Sequence, residues 1–174
     1  MKEIPLSQGL VALVDDDMFE ELSKYNWHAS KHRNTFYAIR NLEIYPGLRT
    51  TVKMHRQVKR ALTGELIDHW NGNGLDNQLG NLRVASSSQN SANKRMLEKG
   101  RKSRYKGVSW HKQHGKWYAC IFNKKQIFLG LHTDEVEAAR AYDRKAIELF
   151  GEFAQTNFPA SDYVKVDKEP EVKP

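Results

Sequence analysis

The sequence has one cysteine in 174 residues, Cys120. An intramolecular disulfide is therefore excluded, and so is a structural zinc site built on several thiolates. Any metal would have to be held mainly by oxygen and nitrogen ligands; Cys120 itself reads as a small, partly buried strand residue. Long apolar runs are also lacking. No stretch approaches the ~18 consecutive apolar residues of a membrane-spanning helix, and the first ten residues, MKEIPLSQGL, show no secretory-type apolar leader. The expectation is a soluble protein of the cytoplasm with no membrane partner. Acidic residues are in deficit, with 28 Lys and Arg against 21 Asp and Glu and a net charge of +7. This balance points to a polyanionic partner only where the charge is concentrated. It is concentrated at 94–106, where Lys94, Arg95, Lys99, Arg101, Lys102, Arg104 and Lys106 accompany a single acid, Glu98. Such a run reads either as a solvated helix end and linker or as a phosphate-neutralising stretch.

Three regions follow one another. In residues 1–52, the apolar run Leu10 to Val14 leads to Asp15, Asp16 and Asp17. Phe19, Leu22 and Tyr25 follow at helical spacing, so the three acids are read as a turn and helix start, where carboxylates favour the positive end of the helix dipole. Trp27 and the run Phe36 to Ile39 suggest paired strands around a small aromatic core. Residues 53–97 are rich in His, Asn and Gly. Leu66 and Ile67 lead to Asp68 and His69, and Asn71-Gly72-Asn73-Gly74 is a turn signal. Leu82, Val84 and Ala85 suggest a returning strand, and the serines at 86–88 offer N-caps for a helix through Leu97. After a basic linker, 98–103, residues 104–159 give three short strand-like runs, separated by His114-Gly115 and by Asn123, Lys124 and Lys125. A helix capped by Thr133 is expected next, with Val136, Ala139, Ala146, Ile147 and Phe150 on its apolar face and Gly151 at its end. Residues 160–174 have little to bury and read as a disordered tail.

Phosphodiester hydrolysis requires a group that can deprotonate water near neutral pH, which His supplies. It also requires a divalent cation to stabilise the leaving oxygen, and hard cations take carboxylate and amide oxygens. Asp68, His69 and Asn90 are of these types. Neighbouring residues on a strand point to opposite faces, so Asp68 and His69 could flank a phosphate from two sides.

Met54, His55 and Arg56, then the string from Asp68 to Asn77, then Asn81, Leu82 and Arg83, then Gln89 and Asn90, resemble the HNH homing endonuclease family over about forty residues. The resemblance implies a ββα-metal hairpin and helix with His69 as general base. It implies Asp68 and Asn90 as ligands of one divalent ion, Mg²⁺ or Mn²⁺, and Asn81 as the residue that fixes the loop and orients His69. His55 is read as structural and Arg56 as a candidate phosphate contact. Asn71, Asn73, Asp76 and Asn77 are read as loop architecture, and Trp70 as a packing residue.

In the last region, Arg104, Lys106, Trp110, Lys112, Lys116, Trp117, Lys124 and Lys125 place cations and aromatics on a small sheet. All but Lys125 are candidate DNA-binding residues, while the two tryptophans are equally readable as core. Tyr105-Lys106-Gly107-Val108, Gly115-Lys116-Trp117, Phe128-Leu129-Gly130, the run from Glu137 to Asp143, and Asn157-Phe158-Pro159 resemble the AP2/ERF DNA-binding domain. That resemblance implies a sheet docked in the major groove, with Lys106, Ser109, His111, Lys116, Phe122, Gln126 and Phe128 near the DNA-facing places.

The expected fold is α+β, a ββα-metal unit followed by a three-stranded antiparallel sheet packed on one helix. The expected function is a metal-dependent endonuclease of double-stranded DNA, phage- or intron-associated, with a monomer favoured. The alternative is a catalytically silent, sequence-specific DNA-binding or regulatory protein, and a third reading is an RNA-binding module.

Overall fold

The computed structural model of the chain describes residues 1–32, 35–94 and 102–163. It is a mixed α+β structure with antiparallel sheets, and it divides into two compact units, Met1–Leu97 and Glu98–Pro174.

In the first unit, β1 (Lys2–Pro5) and β2 (Val11–Val14) form an antiparallel pair. Alternation along these strands buries Ile4, Ala12 and Val14. Helix α1 (Asp16–Leu22) follows at once, with Asp16 and Asp17 in its first turn. Asp15 stands just before it and accepts hydrogen bonds from Leu79 N at 2.7 Å and Gln78 Nε2 at 3.3 Å. The triple aspartate is therefore a helix start and a loop clamp. A three-stranded antiparallel sheet comes next, β3 (His28–His32), β4 (Thr35–Tyr45) and β5 (Leu48–Lys53), and then the short helix α2 (Met54–Val58). Val14, Leu22, Trp27, Ala38, Met54, Val58 and Leu82 share one core, so the segments on either side of residue 52 fold around a common interior.

The unit ends in a hairpin and helix. Strands β6 (Leu66–His69) and β7 (Leu82–Ala85) pair with Asp68 opposite Arg83 and His69 opposite Leu82. Helix α3 (Ser87–Ala92) opens with a capping box, in which Ser86 Oγ accepts from Gln89 N and Gln89 Oε1 accepts from Ser86 N. The sequence predicts this helix to Leu97, but it stops at Ala92, and 95–97 lie outside the described residues. The physical reason is Asn93. Its side-chain amide turns inward to bond Asp68 and the carbonyl of His69, a competition with helical continuation that Asn offers readily.

In the second unit, β8 (Val108–His111), β9 (Lys116–Asn123) and β10 (Lys125–His132) form an antiparallel sheet with β9 in the centre, packed against helix α4 (Glu135–Phe150). The helix cap is Asp134, whose carboxylate accepts from Glu137 N at 3.1 Å; the expected cap, Thr133, lies one residue early. Ala138 and Ala139 let the helix approach Val108 and Ala119 closely, and Tyr105, Trp117, Leu129 and Phe158 close the edges of that core. Gly107 stands at φ +77°, where a Cβ would run into the Tyr142 ring and come within 2.7 Å of the Cys120 carbonyl oxygen, so glycine is required there twice over.

Asp143, fully buried on α4, fastens the chain beyond the helix. It accepts from Asn157 N (2.8 Å), Asn157 Nδ2 (2.9 Å), Phe158 N (2.9 Å) and the Tyr163 hydroxyl (2.8 Å). Disorder expected from residue 160 is thus corrected for Ala160–Tyr163, a short 3-10 turn held by this clasp. Residues 164–174 lie outside the described residues.

Candidate nucleic-acid interface

Two places concentrate the residues singled out from sequence. The first surrounds Asp68. Asp68 and His69 are adjacent on β6 and both are buried, at 6% and 5% exposure. The Asp68 carboxylate accepts from Arg83 Nε across the hairpin at 3.1 Å and from Asn93 Nδ2 at 3.0 and 3.1 Å. Sequence reasoning makes Asn90 a metal ligand beside Asp68; Asn90 lies half-buried on α3, and it is Asn93 that meets the carboxylate. The sequence pattern puts Asn93 in mid-helix, and only a helix stop at Ala92 would have signalled its part.

His69 sits edge-on to His55, ring centroids 5.0 Å apart, and both rings contact Tyr37 at 5.7 and 5.3 Å. Burial, reinforced by the neighbouring charges of His69, Lys53 and Arg56, pushes the His55 imidazole down to about 3. Burial also holds His69 below its ordinary value, opposed by the Asn77 side chain and by the charges of Asp68 and Asp76. Burial first, then the Asp68 charge, pushes the Tyr37 hydroxyl up.

Asn81 fixes the loop from both ends of its amide. Its Oδ1 accepts from Asn71 N at 3.0 Å, and its Nδ2 donates to the Asp76 carbonyl at 2.8 Å. The loop is further laced by Asn71 Nδ2 donating to Asp76 Oδ2 (2.7 Å) and Leu75 N donating to Asn73 Oδ1 (3.1 Å). Trp70, expected to pack, is 62% exposed.

Among the described residues, no group of three or more His, Cys, Asp and Glu side chains gathers as a metal site. The donor set at Asp68 is one carboxylate already paired with a guanidinium, a poor fit to a hard divalent cation. Arg56, the candidate phosphate contact, directs its guanidinium to the carbonyls of Leu62 (2.7 Å) and Glu65 and so secures the loop between α2 and β6.

The second place is the sheet of the second unit. Alternation divides its residues, with one register shift in β10 between Phe128 and Gly130. Trp117, Ala119, Ile121 and Leu129 lie on the helix side, and Trp110, directly opposite Trp117, meets its ring edge-on at 5.0 Å. Of the two readings of the tryptophans, packing is the one their geometry favours. The open side carries Ser109, His111, Lys116, Tyr118, Phe122, Gln126 and Phe128.

Lys106 is not on that open face. Its Nζ lies 6.0 Å from the Tyr142 ring centroid, and burial lowers it to about 8, opposed by the Asp143 charge. Its backbone N–H donates to Asn157 Oδ1 at 2.6 Å. Burial, with the Asp143 and Cys120 charges adding to it, raises Tyr142. Arg104 is exposed and stacks on Tyr105, its Nη2 donating to the Tyr105 hydroxyl at 3.0 Å. Lys112, Lys116, Lys124 and Lys125 are exposed in and beside the two turns. From 102 to 132 the chain carries seven Lys and Arg and no Asp or Glu. The basic run upstream falls largely on 95–101, outside the described residues.

No protein-family model matches the chain. Among known proteins it is similar to plant AP2-type regulators. It is 49% identical over 72 residues to APETALA2-like protein 2 of Oryza sativa, covering 40% of this chain and 16% of that protein. It is 45% identical over 65 residues to ethylene-responsive transcription factor WRI1 of Arabidopsis thaliana, covering 36% and 15%. It is also 45% identical over 67 residues to the AP2-like ethylene-responsive transcription factor At1g16060 of Arabidopsis thaliana, covering 37% and 19%. The matches thus span less than a fifth of the length of these curated relatives. They support an AP2/ERF-type domain in this chain. They overturn the expectation of a metal-dependent endonuclease, because the proteins it resembles are named as transcription factors and not as hydrolases. The HNH, nuclease and phage attributes gain no support from them.

Proposed function

We propose that this protein is a sequence-specific DNA-binding protein of regulatory type, without enzymatic activity, that docks the open face of its three-stranded sheet on duplex DNA. The observation that carries the reading is the charge of the sheet segment, with seven cations and no acid between 102 and 132, in a chain similar to AP2-type transcription factors. Lysines in the two turns border the open face, and such a surface favours a phosphate backbone on either side of a groove. In this reading the hairpin and helix of β6, β7 and α3 keep the arrangement of a ββα scaffold as architecture. Asp68 serves as an ion-pair partner and Asn81 as a loop clamp.

Binding of a labelled duplex, followed by anisotropy against salt, tests the reading. Replacing Lys112, Lys116 and Lys124 together by Ala should weaken binding to all sequences alike. It should also flatten the log–log salt dependence by about 0.9 for each phosphate that is no longer neutralised. An unchanged slope would place the DNA elsewhere. Supercoiled plasmid incubated with the protein and Mg²⁺ or Mn²⁺ should stay supercoiled. Nicking that EDTA and His69→Ala both abolish would overturn the non-enzymatic assignment.

The ion expected at Asp68 and Asn90 does not suit this carboxylate as it stands, because Arg83 already pairs with it. Entry of the ion requires Arg83 to leave the carboxylate. Mn²⁺ affinity by isothermal titration should therefore rise in Arg83→Ala and vanish in Asp68→Ala. Equal affinities in all three proteins would mean that Asp68 holds no ion.

A further inference from the structure

We propose that the open face of the β8–β10 sheet reads A·T base pairs from the major groove, with Phe122 and Phe128 against thymine methyl groups and Gln126 on adenine; this rests on the DNA-binding reading above. Phe122 and Phe128 are 70% and 56% exposed, although the sheet's other large apolar side chains are at least half covered. Two phenylalanines held out on one sheet face offer apolar surface whose burial against a partner is favourable. The lysines in the bordering turns make a purely apolar partner unsuitable, since their charges would be desolvated without compensation. Duplex DNA meets both demands. Its phosphates match the lysines, and the one apolar group displayed in its major groove is the C5-methyl of thymine.

The polar chemistry of the face selects the same base pair. Gln126 stands directly across from Phe122 in the β9–β10 register, so the two side chains share the open face. Gln126 Nε2 donates one hydrogen to the Tyr118 hydroxyl at 3.2 Å. That bond leaves the second Nε2 hydrogen and Oε1 for N7 and the N6 amino group of an adenine, the usual bidentate pairing of a carboxamide. Tyr118 also stacks on Phe128, centroids 5.1 Å apart with the rings 29° from parallel, and on His111 at 6.2 Å and 30°. The row of His111, Tyr118 and Phe128 is thus ordered before any ligand arrives, and little side-chain freedom remains to be given up on binding. The open-face set Ser109, His111, Lys116, Tyr118, Phe122, Gln126 and Phe128 contains no Arg to read guanine, and its one Lys, Lys116, stands at the turn end of β9.

Anisotropy of the full chain with four labelled 20-mer probes tests this: an alternating A·T duplex, an alternating G·C duplex, the A·T duplex with deoxyuridine in place of every thymidine, and one unpaired A·T-type strand. The A·T duplex should bind about tenfold tighter than the G·C duplex. Deoxyuridine should weaken binding about fourfold for each methyl group touched. Phe122→Ser with Phe128→Ser, its melting temperature matching that of wild type, should remove the difference between thymine and deoxyuridine. The same change should bring the affinity for the A·T duplex down toward that for the G·C duplex. Equal affinity for the thymine and deoxyuridine duplexes overturns the proposal while leaving DNA binding in place. Tighter binding of the unpaired strand than of any duplex overturns it in favour of base stacking on the aromatic row. Binding to none of the duplexes at low salt overturns the DNA-binding reading along with it.

Discussion

Replacing Asp143 by alanine should unfold the second unit while leaving the first folded. The carboxylate is fully buried and is the acceptor for two backbone N–H groups, one side-chain amide and one phenol. Alanine takes the acceptor from two backbone N–H groups and a phenol in half-buried positions, while Asn157 Nδ2 keeps its bond to the Lys106 carbonyl, and each donor left without a partner costs about 1–3 kcal/mol. For three such donors the sum, on the order of 3–9 kcal/mol, rivals the entire stability of a domain this small. The ¹H–¹⁵N spectrum of the full chain should lose the dispersed signals of 104–159 and keep those of the first unit. Asp143→Asn keeps one acceptor oxygen and should be intermediate. A dispersed spectrum for Asp143→Ala, with a melting temperature close to that of wild type, would mean that the clasp is incidental to stability.

Acid should unfold the first unit well above the pH at which carboxylates alone would do so. His55 is held at about 3 when folded, against an ordinary value near 6.5. Between those values the unfolded chain binds a proton that the folded chain refuses, so stability falls as pH drops through this window. Above about pH 6.5 the contribution is fully present. One group titrating this way removes about 1.4 kcal/mol per pH unit, roughly 4–5 kcal/mol by pH 3. His69, shifted in the same direction, adds to the slope. Urea midpoints of the full chain measured from pH 7 to 4 should fall steeply, and His55→Leu should flatten that fall. An acid slope in His55→Leu equal to that of wild type would assign the titration to other groups.

Neither effect can be read from the chain as a string. His55 is recognisable as structural beside Arg56, but its neighbours Tyr37 and His69 come from strands 18 and 14 residues away in sequence. Asp143 lies within the AP2-type motif, while its partner Tyr163 falls in a segment whose composition promises no structure. Composition reports how much apolar surface a segment can bury; it does not report that one hydroxyl meets a buried carboxylate. In the same way Arg56 has the character of a phosphate contact in the sequence, whereas in the fold its guanidinium is spent on two loop carbonyls. The nuclease expectation fails for a related reason. It rests on residue types at family-like spacing, and spacing does not say which protein the rest of the chain resembles.

What the sequence by itself determined is what short-range rules govern. Those are an N-cap among the serines at 86–88, the helix start after the aspartates at 15–17, the turns around residues 73, 115 and 124, the three short C-terminal strands, and the concentration of cations on them. Each depends on a few neighbouring residues and on periods of 2 or 3.6. What only the tertiary structure decided is which side each residue faces and which partner it meets. Trp110 and Trp117 lie edge to face, Lys106 lies under Tyr142, Phe122 and Phe128 are left outside, and Asn93 rather than Asn90 reaches Asp68. The reason is physical. A strand's period gives two faces without saying which one a helix will cover, and a hydrogen-bond donor at the end of a helix goes to whichever acceptor the packed core brings within about 3 Å.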